Sequence, residues 1–319
     1  MKSKNRFFKL IYIYFFIIIL FFILINSFSN NKNCKAIETN ILFVGGVGEN
    51  NYSKIQNAID NSKENDTVFV FDGIYNESIV INKPIILIGI DKNKVVINGN
   101  DNLFIFLIKS SYVTISGFTL KDAKIGIFVS GEKFCFNNFS GNILLNNTEG
   151  IRFVNTSNNK IFDNIIQSNN SFGIVMYESS DNLIYNNTLL NNSKAILLNK
   201  WSNNNTIQKN NLTENDIGIS LDFSFDNLII DNFIVNNSFG VFLINSEFNN
   251  VTNNYIEFNK ESGIFVSNSD NNTISYNIFI KNNNDVTVDS KPPDIKAPGF
   301  EFILFFVAIF LFICIKKHI

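Results

Sequence analysis

The chain has 319 residues, 45% of them hydrophobic and 14% aromatic, with a formal net charge of −2. That apolar content excludes a disordered polymer and is enough for one long core. Three cysteines exclude a disulfide scaffold, and 20 basic against 27 acidic residues over 30–297 disfavour nucleic acid as a partner.

Lys2, Lys4, Arg6 and Lys9 precede sixteen uncharged, largely apolar residues, 10–25, which is the layout of a secretory signal. The small residues around Ser27-Phe28-Ser29 suit cleavage. Residues 1–29 therefore read as a signal peptide, or a signal anchor if uncut, and Asn30 onward as exported. Ile41 to Val44 reads as a first strand. Ser53 is placed to N-cap a short amphipathic helix with Ile55, Ala58 and Ile59 on one face. Residues 41–125 form this N-terminal cap and the first coils of a 30–289 domain.

From about Phe136 to Val288 the sequence repeats every 22 or 23 residues, most cleanly in 227–248 and 249–270. Three all-asparagine columns run through the copies, five residues apart. They are Asn137/Asn159/Asn182/Asn205/Asn227/Asn249/Asn272, Asn142/Asn164/Asn187/Asn210/Asn232/Asn254/Asn277 and Asn147/Asn169/Asn192/Asn215/Asn237/Asn259/Asn282. The apolar runs between them are three to five residues long, β-branched or aromatic, and cut by Asn or Gly, which is strand grammar rather than helix grammar. A period of this size built from strands predicts a solenoid whose coils stack about 4.8 Å apart, some ten of them. Asn suits a stacked turn because it tolerates left-handed φ, and its amide bonds along the stack. The columns are therefore structural first.

These ladders, with the opening segment 52–100, resemble the right-handed parallel β-helix superfamily (pectate-lyase-like), and are also similar to the β-helix of NosD, an accessory protein of nitrous-oxide reductase maturation. The resemblance covers about 41–289. It implies an all-β, right-handed single-stranded parallel β-helix and, more loosely, a polysaccharide-acting hydrolase or lyase or a copper role. Copper wants His, Cys or Met. The one histidine is His318, and the sulfurs of the exported part are Cys34, Cys135 and Met176. A copper role is disfavoured, and no metal or other cofactor is expected.

Glycoside hydrolysis needs two carboxylates at set separations. Glu247 and Asp270 fall in one column on adjacent coils, and Asp181 and Asp226 in another with Asn204 between them. Asp and Asn interchange in such turns for conformational reasons, so these are weak catalytic candidates. Arg152, the one arginine of the exported part, reads as alone on an outward strand position. Trp201 and Phe223 share a column, with Phe225 nearby, and exposed stacked aromatics suit sugar rings or a protein partner. An outward strand column of Phe128, Val175, Leu197, Phe242 and Phe265 is more apolar than solvent requires.

Asn-x-Ser/Thr occurs fourteen times, so glycosylation of outward turns is expected, for example at Asn146, Asn191, Asn236 and Asn271. Residues 290–299 form a linker, and 300–319 an apolar tail ending in Lys316, Lys317 and His318. Pro298-Gly299-Phe300 ahead of that tail resembles the PGF-CTERM sorting signal of archaeal surface proteins, which implies cleavage and a lipid anchor. The Thr-rich stalk usual before such a signal is missing. The expectation is an adhesin-like cell-surface β-helix held at the membrane through its ends. Its partners would be the export and sorting machinery and an envelope or host polysaccharide or another surface protein, in an adhesive, carbohydrate-binding or structural role.

Overall fold

A computed structural model describes residues 39–289. The signal segment, Cys34, the linker and the sorting motif Pro298-Gly299-Phe300 lie outside the described residues. Thirty-one short strands form three parallel sheets of 11, 10 and 10 strands. Successive strands visit sheets one, two and three in turn, so every third strand pairs with its predecessor one coil below. The result is a right-handed parallel β-solenoid of about 11 turns, close to the ten or so expected. Right-handed crossovers between parallel strands are the rule for twisted sheets.

Each turn of the coil carries one asparagine ladder. The Asn142 series sits between sheets one and two, the Asn147 series between two and three, and the Asn137 series between three and one. Each amide ties three coils together. Asn210 Oδ1 accepts from Asn187 N at 3.0 Å and Asn187 Nδ2 at 3.0 Å. Its own Nδ2 donates to Ile184 O at 3.0 Å and Asn232 Oδ1 at 3.0 Å. Buried polar groups are tolerated because their hydrogen bonds close in this way. Inward side chains such as Ile161, Ile184, Ile207, Ile229 and Val251 stack into a continuous core and are fully buried. Each such side chain contributes roughly 1.5–3 kcal/mol relative to exposure.

The helix Ile55–Asn61 covers the first strands, with Ile55, Ala58 and Ile59 buried as the pattern predicts. The expected Ser53 cap is not made. The N-cap is Lys54, without a side-chain bond, and the Glu77 carboxylate accepts from Ile55 N at 2.9 Å and Gln56 N at 3.0 Å. A carboxylate at a helix start favours those unpaired N–H groups more than a serine hydroxyl does. Among the described residues no helix is long and apolar enough to cross a membrane.

Candidate functional site

The carboxylate and aromatic candidates Asp181, Trp201, Phe223, Phe225, Asp226, Glu247 and Asp270 all fall on one turn, the one leaving the six-residue strands of sheet three. The strands concerned are Phe172–Tyr177, Lys194–Asn199, Ile217–Asp222, Phe239–Ile244 and Ser262–Ser267. The turns after them carry Asp181, then Trp201, then Phe223, Phe225 and Asp226, then Glu247, then Asp270. Beneath them runs a ladder the asparagine pattern obscures: Ser179, Ser202, Ser224, Ser246 and Ser269, with Thr156 at its start. Ser246 Oγ accepts from Ser224 N at 3.1 Å, Ser269 Oγ from Ser246 N at 2.9 Å, and Ser202 Oγ from Ser179 N at 3.2 Å. All five serines are buried. Their signal was present, a hydroxyl residue three positions before each Asn of the first column from Asn159 to Asn272, with Phe134 in that place before Asn137. The two ladders fix the turn backbone, so the residues between them, and those just before the serines such as Trp201 and Phe223, project outward in register.

The carboxylate columns are as expected. The register Ile244↔Ser267 sets Glu247 beside Asp270, and Asp181 N donates to Asn203 O on the next coil at 3.1 Å. Asp181 and Asp226 have φ of +57° and +56°, and Asn158, Asn204 and Asn271 hold the same left-handed place in their coils. Asp needs no catalytic reason to stand there.

The aromatics do need a reason. Trp201, Phe223 and Phe248 occupy three successive coils at φ of +60°, +49° and +58°, and Tyr112 and Phe136 lie on the same edge further down at +59° each. A bulky side chain in the left-handed region costs roughly 1–2 kcal/mol relative to the glycine or asparagine that suits it. These rings are also wet. Trp201 is 62% exposed, Phe248 56% and Phe223 48%. Trp201 N donates to Phe223 O, placing them on adjacent coils, and Tyr112 stacks on Phe136 with centroids 5.4 Å apart. Phe225 differs from its neighbours in being half-buried.

The outer face of sheet three, next to this turn, carries what the sequence reading missed. Arg152 is not alone: its Nη2 pairs with Glu149, and its guanidinium lies 5.8 Å from the Tyr177 ring centroid. Burial pushes the Glu149 carboxyl above its ordinary range, with Arg152 opposing. Burial, aided by the Glu149 charge, pushes the Tyr177 hydroxyl up to about 12. Two coils on, burial lowers the Lys194 ammonium and raises the Asp222 carboxyl, each partly offset by the other's charge. The apolar outward column continues this face, with Val175, Leu197, Phe242 and Phe265 all buried. Phe242 and Phe265 stack at 4.8 Å, and Phe239 meets both edge-on.

Residues 59–238 and 202–296 match the family described as periplasmic copper-binding protein (NosD). The chain belongs to the NosD family. No curated protein matches it by sequence. Among solved structures, the Azotobacter vinelandii mannuronan C-5 epimerase AlgE6 A-module superposes with a TM-score of 0.54 at 13% identity, over 75% of this chain and 91% of that one. The AlgE4 A-module gives 0.52 at 16% identity, over 77% and 95%. Tailspike protein 2 of bacteriophage CBA120 gives 0.57 at 12%, over 78% of this chain and 47% of that one. At such identities the likeness shows the fold.

The NosD description implies copper, and the donors of this chain do not fit it. The one described thiol, Cys135, contacts the Ser111 hydroxyl at 3.7 Å. The one described thioether, Met176, points into the core and is fully buried. Among the described residues no three His, Cys, Asp or Glu side chains converge. His318 lies outside them.

Proposed function

We propose that this NosD-family chain is an exported β-helix of the cell envelope that binds a linear polysaccharide along its aromatic turn. The observation that carries the reading is the set of Trp201, Phe223 and Phe248: exposed rings on consecutive coils, each held in a backbone conformation that disfavours it. Strain of this kind is kept where it serves a contact. Trp201 and Phe223, on adjacent coils about 4.8 Å apart, with Phe248 to one side on the next coil, offer stacking surfaces for successive sugars. The charged and apolar layout of residues 1–25 supports export. The Pro298-Gly299-Phe300 tail supports lipid anchoring at an archaeal surface, and the exposed sequons at Asn146, Asn191, Asn236 and Asn271 suit glycosylation.

The test is glycan-array binding by the full chain against Trp201→Asn, which supplies the residue that the left-handed position favours. Binding lost while stability holds or rises supports the reading; unchanged binding refutes it. The neighbours that act on polysaccharides motivate a second assay, release of reducing ends or unsaturated uronate. Release that vanishes in Glu247→Gln or Asp226→Asn would make the chain a hydrolase or lyase instead of a binding protein.

A further inference from the structure

We infer that the polymer bound at the aromatic turn carries ammonium groups, as a polysaccharide of free amino sugars does, and is not a uronate polymer. The inference rests on the glycan-binding reading above and concerns the ligand's charge. Over five successive coils, the middle three of which hold Trp201, Phe223 and Phe248, the turn presents Glu178, Asp181, Asp226, Glu247 and Asp270 against one lysine, Lys200. Glu178, Asp181, Asp226 and Asp270 are exposed and Glu247 is half-exposed. The ion pairs among the described residues, Lys94 with Asp72 and Asp91, Lys121 with Asp122, and Arg152 with Glu149, do not involve these five carboxylates. Lys200 itself is directed at the Tyr177 ring, 5.9 Å from its centroid.

A row of carboxylates beside aromatic faces is complementary to cations twice over. The carboxylates attract ammonium groups through space, and the ring faces attract the same groups through their quadrupoles. A uronate polymer would bring one negative charge per sugar against that field, and like-charge juxtaposition suppresses a wrong partner. The structural neighbours that act on mannuronan therefore do not predict this chain's ligand. Trp201 and Phe223 share a column on adjacent coils and Phe248 stands three residues further along the turn of the next coil, so the sugar assignment rests on the glycan-binding reading and oligolysine is its control.

The experiment measures affinity of the full chain for length-matched oligosaccharides of glucosamine, N-acetylglucosamine and mannuronate, and for oligolysine, at low and high salt. The expected result is at least about a tenfold preference for glucosamine over its N-acetyl form at low salt, shrinking towards parity at about 1 M salt. A fourfold variant, Asp181→Asn, Asp226→Asn, Glu247→Gln and Asp270→Asn, should lose the preference. It should keep the weaker Trp201-dependent binding to the neutral sugar. Asn already stands at Asn158, Asn204 and Asn271 in the column of Asp181 and Asp226, so those changes keep the turn geometry. Equal binding of both sugars, or tighter binding of mannuronate, overturns the charge inference and leaves the glycan reading standing. Oligolysine binding that exceeds glucosamine binding and ignores Trp201→Asn overturns the sugar assignment. Binding of none of the four overturns both.

Discussion

Asn210→Ala tests whether the ladders hold the solenoid together. Asn210 is buried in the middle of the stack. Its removal takes away the described acceptor of the Asn187 backbone N–H, 3.0 Å away, and one of the acceptors of Asn187 Nδ2. Asn187 Nδ2 keeps Ile161 O at 2.9 Å and Tyr185 O at 3.1 Å, so the backbone group is the worse stranded of the two. A buried donor without a partner costs about 1–3 kcal/mol, so the variant should lose at least that much. The control is the adjacent Asn211→Ala, an exposed asparagine whose amide oxygen accepts only from Thr213 Oγ1 among the described residues. That change should stay within about 0.5 kcal/mol. Urea unfolding of the full chain, followed by circular dichroism, gives the difference in midpoint. Amide exchange should quicken first in the coils around Asn187 and Asn232, because a solenoid's contacts are between neighbours. Equal midpoints for the two variants would refute the claim that the ladder stabilises the stack.

Two further outcomes concern the outer face of sheet three. Tyr177 has its hydroxyl raised from 10.0 to about 12. The stability this contributes is complete below pH 10 and is lost as pH rises towards 12, by about 2–3 kcal/mol at 1.36 kcal/mol per unit. Tyr177→Phe should flatten that alkaline limb, and an unchanged limb would place the loss elsewhere. Arg152→Met leaves Glu149 buried without its cation and should cost about 3–5 kcal/mol at neutral pH. Glu149 already has a raised pKa, so the penalty should shrink as acid neutralises the carboxyl; a penalty independent of pH would contradict the pairing.

The fold was legible because a repeat multiplies each weak local signal. One Asn before a short apolar run means little, whereas seven in register fix coil length, turn position and inward face together. The serine ladder under the candidate turn escaped because serine has no single structural meaning; only its constant distance from the Asn column marks Ser179 through Ser269. The Glu149–Arg152 pair escaped for a geometric reason. Strict alternation sends residues i and i+3 to opposite faces of a strand. Here pairing runs Glu149↔Phe172 and then Ile151↔Ile174, skipping Gly150. A Cβ at Gly150 would sit 2.5 Å from Gly173 O on the next coil. The chain bends at that glycine column, alternation slips by one, and the acid and the arginine arrive on the same side.

That slip separates two kinds of information in this chain. The ladders, the core columns and the glycine bend specify a scaffold shared with epimerases and tailspikes at 12–16% identity. None of the three needs an exposed tryptophan in a left-handed turn, or carboxylates outside those ion pairs beside it. Coil stacking is indifferent to what projects from the turn after sheet three, provided the serine and asparagine beneath it remain. Asn would serve best at every left-handed place, and Asn245 and Asn268 fill the Phe223 column in later coils at φ of +47° and +46°. Where Trp201, Phe223 and Phe248 stand instead, the scaffold bears a cost of roughly 1–2 kcal/mol per ring that packing does not return, since all three are exposed. The departures from the scaffold's own preference, Phe258 and Tyr276 on the other turns included, are therefore the positions at which the proposed binding is to be tested.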